Sequence, residues 1–186
     1  MTALHKLHSP VPPPNEVIRP DVWRREDQPA YSRLCIGARH EVRLLLDLCR
    51  GWEGPFALLF VLVVSRQGNP LGRYQSPVTL SFEEVERFLL DHEDVLERDG
   101  RHHLWLRSMS GGGQLVLDRH RIVYGCGDVD AQEAELRRLG FEEGPVDVPI
   151  PHGHRYHEAF DAAETAVMEM ERWPWIRSPL QPIDEA

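Results

Sequence analysis

The sequence predicts an α+β fold, a single domain in which a mostly antiparallel sheet of about five or six strands is packed by three or four helices. Three observations carry this. Phe56 to Ser65 is apolar at almost every position and rich in β-branched residues, as a strand covered on both faces should be. Residues 102–126 alternate between turns marked by glycine, the pattern of an antiparallel meander. Helical stripes then interrupt the strands in an order that mixes hairpins with crossovers, which disfavours a doubly wound α/β sheet.

The chain opens with an arm, residues 1–30, holding Pro10, Pro12, Pro13, Pro14, Pro20 and Pro29. These prolines remove backbone donors and favour extended polyproline II over regular pairing, so deletion of the first 16 residues is expected to leave the body stable. Val17, Ile18, Val22 and Trp23 are the residues through which the arm can lie on that body.

The domain proper is assigned to residues 31–172. Arg39 to Arg50 places Val42, Leu45, Leu46 and Cys49 on one stripe, a helix stopped by Gly51. The Phe56–Ser65 strand follows, and a truncation at Leu59 or Val61 is expected to leave a cavity whichever way the side chain points. Gln67-Gly68-Asn69-Pro70 turns the chain into a return strand, Tyr74 to Leu80. Ser81-Phe82-Glu83-Glu84 is a capping box, from which Val85, Phe88, Leu89 and His92 continue one helical face.

His102 to Ser108, Gln114 to Asp118 and Arg121 to Cys126 are the meander strands, with Gly111-Gly112-Gly113 as the first hairpin turn. Asp130 to Leu139 is a helix ended by Gly140, Val146 to Ile150 a short strand, and His157 to Arg172 the last helix, with Phe160, Ala163, Val167 and Met170 inward. Residues 173–186 form a tail in which Pro174, Pro179 and Pro182 prevent a helix and Trp173 and Trp175 serve as anchors.

Composition narrows the function classes. Cys35, Cys49 and Cys126 are an odd number without metal-site or disulfide spacing, as expected of core thiols in a reducing cytoplasm. No run approaches the roughly 20 apolar residues of a membrane helix, and residues 1–14 lack a signal-peptide core, so neither a membrane nor secretion is expected. Net charge is −9, divided as +2 over residues 1–50 and −11 over the rest. Such a body repels nucleic-acid phosphates and favours a basic protein partner.

Two constellations are candidates for function. His103, Trp105 and Arg107 alternate along one strand and can share a face with Gln114, Val116, Ile122 and Tyr124; Trp, Tyr and Arg are the residue types enriched at binding hot spots. His152, His154, His157 and Asp161 place three imidazoles and a carboxylate within ten residues, enough to hold a divalent transition metal such as zinc, iron or nickel. The spacing completes no known metal motif, and no Gly-x-Ser-x-Gly of a serine hydrolase occurs. Gly111-Gly112-Gly113 lacks the Lys-[Ser/Thr] of a phosphate loop, and Cys126, beside Gly125 and Gly127, has no partner histidine in sequence. The expectation is a non-catalytic, acidic protein-interaction module of the immunity, inhibitor or accessory-factor kind, with no resident cofactor, that contacts its partner through His103, Trp105, Arg107 and Tyr124. The alternative is a metal-dependent enzyme built on the histidine cluster.

Overall fold

The structure is a computed structural model that describes residues 4–9, 15–17, 19–170 and 173–185. Pro10, Pro12, Pro13, Pro14, Ile18 and the expected end of the last helix at Arg172 lie outside the described residues. In chain order the elements are β1 (Leu7–Ser9), β2 (Asn15–Glu16), β3 (Val22–Gln28), β4 (Tyr31–Gly37), α1 (Glu41–Cys49), β5 (Phe56–Leu62), β6 (Gly72–Gln75), α2 (Phe82–Asp91) and α3 (Glu93–Arg98). They continue with β7 (His102–Ser108), β8 (Gly113–Leu117), β9 (Ile122–Gly127), α4 (Val129–Arg138), β10 (Glu142–Glu143), β11 (Gly153–His154), α5 (Asp161–Met168) and β12 (Ile176–Ser178).

The fold is α+β, but its sheet is larger than five or six strands and mixed. Among the described residues nine strands run in the order β10-β3-β4-β9-β8-β7-β5-β6-β12, with the edge pair β10 and β3 parallel and the other pairs antiparallel. A separate three-stranded sheet, β11-β1-β2, lies beside it. Among the described residues there are five α-helices rather than three or four, because the segment after α2 breaks at His92 and restarts as α3.

The undercount has a physical source. β3 reads Val-Trp-Arg-Arg-Glu-Asp-Gln, and its polar residues are satisfied across and along the strands, Arg33 Nε donating to Glu26 at 2.7 Å and Arg25 Nε to Asp27 at 2.8 Å. Only Trp23, 2 % exposed, marks it as a core strand. β3 therefore belongs to the main sheet although it falls in the segment read as an arm, and Lys6 and Leu7 are fully buried as well. The tail likewise contributes β12, paired with β6, and Trp175 Nε1 donates to the Val167 carbonyl at 2.7 Å. Two expected strands shrink or vanish: the return strand stops at Gln75, and residues 146–150 join no ladder among the described residues, while Val146 packs on Cys35 and Ile122.

All five helices cover one sheet face. Alternation sends Phe56, Leu58, Phe60, Leu104, Leu106, Leu115 and Leu117 to that face, where they meet Val42, Leu45, Val85, Phe88, Leu136 and Val167. The Ser81 cap works as expected, its hydroxyl accepting from Glu84 N at 3.2 Å while the Glu84 carboxylate accepts from Ser81 N at 2.7 Å. Gly125 leaves room for Gln132, whose amide Oε1 would lie 2.1 Å from a Cβ at that position. A buried ion cluster fastens α5: Arg101, 0 % exposed, binds Asp99 at 2.7 Å, Glu164, and the His157 carbonyl at 2.8 Å.

Candidate functional site

The opposite sheet face is only partly covered. His103, Trp105, Gln114, Val116 and Tyr124 stand on it through the alternation of β7, β8 and β9, whose registers pair Trp105 with Val116 and Val116 with Tyr124. Val148 and the turn at Ile183 and Asp184 wall the face, leaving a groove of ≈ 610 Å³. Three of the four residues expected to bind a partner, His103, Trp105 and Tyr124, line it. Arg107 shares the face by alternation but is exposed and does not line the groove, and Ile122 is buried against Cys35 and Val146.

Charges beside the groove come in matched pairs. The Arg33 guanidinium lies 4.7 Å from the Tyr124 ring centre and pairs with Glu26; Arg73 lies 5.2 Å from the Trp105 ring and 3.6 Å from Asp184. Burial, reinforced by Lys6, lowers His103 to about 4, and its Nε2 lies 3.1 Å from the Asp184 carbonyl. Burial also pushes Tyr124 up to about 12 and raises the Cys126 thiol, which lines the same groove. A cysteine so held is no activated nucleophile.

At one end of the groove the β8–β9 hairpin turns through Asp118, Arg119, His120 and Arg121. Asp118 shapes this tip by accepting from His120 N at 2.9 Å and Ile122 N at 2.8 Å. Burial pushes its carboxyl up, but the bonds and charges of His120, Ile122 N and Lys6 outweigh that and hold it below the usual range. Arg121 takes φ of 64°, a left-handed conformation that costs a non-glycine residue on the order of 1 kcal/mol; its 2.6 Å ion pair with buried Glu41 holds it there.

His120, which lines the groove, is thereby set against His152 and His154, with ring centres 4.8 to 5.3 Å apart. One ring nitrogen of each lies within 4.8 Å of the others. The segment carrying His152 and His154 is held by pairing of His154 with Leu7 and by the bond from Arg155 N to the Lys6 carbonyl at 2.9 Å. Burial, followed by Arg119, His120 and His152, lowers His154 to about 3.

The expected ligand set is therefore split. His152 and His154 come together, but the His157 ring lies against the His5 carbonyl at 3.0 Å, and Asp161 binds Arg66 at 3.0 Å and Arg101 at 3.2 Å. Sequence reasoning missed His120, Asp118 and Arg119. A hairpin tip between two legible strands was the available signal, but nothing in the sequence shows which loop that tip meets 32 residues later. The Gly111-Gly112-Gly113 turn is a hairpin over which Trp52 packs, closely enough that a Cβ at Gly112 would lie 2.8 Å from its side chain. Comparison with protein-family models, curated proteins and solved structures finds no match.

Proposed function

We propose that this chain is a ligand-binding protein whose groove on the open sheet face holds a small apolar molecule with an aromatic ring. The observation that carries the reading is the groove itself: ≈ 610 Å³, concave, floored by Trp105, Val116 and Tyr124. Ligand pockets run from about 300 to 1,000 Å³ and combine apolar walls with a few placed polar groups, here His103, Gln114 and Asp118. A basic protein partner has only the net charge of −9 behind it, whereas the ionic groups beside the groove are already matched to one another. The raised Cys126 thiol favours reversible binding over covalent chemistry.

The test is ligand-observed NMR with indole and naphthalene fragments, on the wild type and on Val116→Trp, which fills the floor from the strand centre. The wild type binds both, and Val116→Trp weakens binding at least about tenfold. Equal binding by the two proteins, or none by the wild type, overturns the reading.

A further inference from the structure

We infer that His120, His152 and His154 form a binding site for a divalent transition metal of the zinc class, at the end of the groove. The hydrogen bonds of each ring fix which of its nitrogens carries a lone pair. His152 Nδ1 lies 3.0 Å from the Pro149 carbonyl oxygen, which only accepts, so Nδ1 bears the hydrogen and Nε2 the lone pair. His120 Nδ1 faces the Asp118 carboxylate at 3.0 Å, with the same result. His154 Nε2 accepts from the Arg119 guanidinium at 2.9 Å, so that ring too is neutral with its lone pair on Nε2. Three rings from two loops thus share the tautomer that binds metal, and two of them are oriented by an oxygen behind the ring.

The second observation is the cation already present. Arg119 donates into the cluster, while His154 Nδ1 is buried with no hydrogen-bond partner among the described residues. A metal would exchange for the Arg119 contact at Nε2, whereas the unpartnered Nδ1 hydrogen sits at the other nitrogen of the ring. Arg119 occupies the place a metal ion needs at His154, so metal binding displaces its guanidinium. One ring nitrogen of each residue lies within 4.8 Å of the others and must close to about 3.3 Å, the spacing that bonds of about 2.0 Å impose on a tetrahedral ion. All three rings are half-buried, so the closure falls to side-chain rotation rather than to the paired backbone of Gly153 and His154.

Three imidazoles select zinc, cobalt, nickel or copper over magnesium or calcium, which prefer oxygen. They leave a fourth position for water or a donor atom of a ligand, and His120 lines the groove that would supply such a ligand.

The experiment is titration of zinc, and of cobalt(II) for its visible spectrum, into chelator-stripped protein purified without a polyhistidine tag. No groove ligand is added, so failure here leaves the groove reading standing. The expected result is one ion per chain with Kd at or below about 1 μM and an intense tetrahedral cobalt spectrum. His120→Ala and His152→Ala each raise Kd by at least about 10-fold, Arg119→Met lowers it, and His157→Ala leaves it unchanged. Melting curves of the stripped variants establish that each is folded; if His120→Ala is not, His152→Ala and Arg119→Met decide. Absence of stoichiometric binding overturns the site, as does equal binding in His120→Ala and His152→Ala, or loss in His157→Ala.

Discussion

Leu58 and Leu59 are neighbours in β5 that face opposite ways, Leu58 fully buried under the helices and Leu59 half-buried on the open face beside Trp105. Truncation of Leu58 leaves a cavity that the helices cannot collapse into, so Leu58→Ala is expected to cost about 2 to 5 kcal/mol. Leu59→Ala is expected to cost less than about 1.5 kcal/mol, since water can reach the vacated space. Urea denaturation of the two variants checks the order, and equal losses would mean that both faces are closed. The sequence shows an apolar run here but cannot rank the two leucines, because a run without alternation carries no information about which face is covered.

At the scale of elements, the N-terminal segment departs furthest from expectation. Six prolines within residues 1–30 imply an arm that can be removed, yet Leu7 is fully buried and pairs with His154, and Lys6 Nζ donates to the Leu96 carbonyl at 2.7 Å. Burial lowers the Lys6 ammonium to about 8, against the attraction of Glu41 and Asp118. Deleting residues 1–9 removes the burial of Leu7, worth about 1.5 to 3 kcal/mol, and leaves Gly153 and His154 without strand partners. A fall of about 3 to 12 °C in melting temperature is expected, and an unchanged curve would show that β1 contributes nothing. By contrast, α1, α2, α4 and the strands β5, β7, β8 and β9 were legible because period, cap and turn signals are local. β3 and β4 were not, because their charged residues are satisfied by one another across and along the two strands.

For the molecule as a whole, the buried histidines set the response to acid. His103 is held at about 4 by burial, and His102, fully buried and stacked on Phe60, is pushed the same way. The unfolded chain takes up these protons near pH 6.5 whereas the folded one refuses them, so stability is lost as pH falls from about 6.5 toward 4 and is unaffected by these groups above that window. Each such histidine contributes a slope of about 1.4 kcal/mol per pH unit there. Chemical denaturation at pH 7, 5.5 and 4.5 checks this; His103→Gln should lessen the slope, and identical pH dependence would show that His103 is protonated without penalty. Among the described residues no helix is long and apolar enough to cross a membrane.

The sequence by itself determined the α+β class, most of the helices and the meander, which residues of the meander share a face, and the clustering of histidines along residues 152–157. Each depends on period or on neighbours a few residues apart, which a chain carries in its order. Tertiary structure alone decided that the helices gather on the Leu104 and Leu106 side, leaving Trp105 and Tyr124 in a groove, and that His120 rather than His157 completes the histidine cluster. Those outcomes rest on contacts between loops 32 or more residues apart and on a buried salt network that spends Asp161 on Arg101, relations that periodicity in a sequence does not encode.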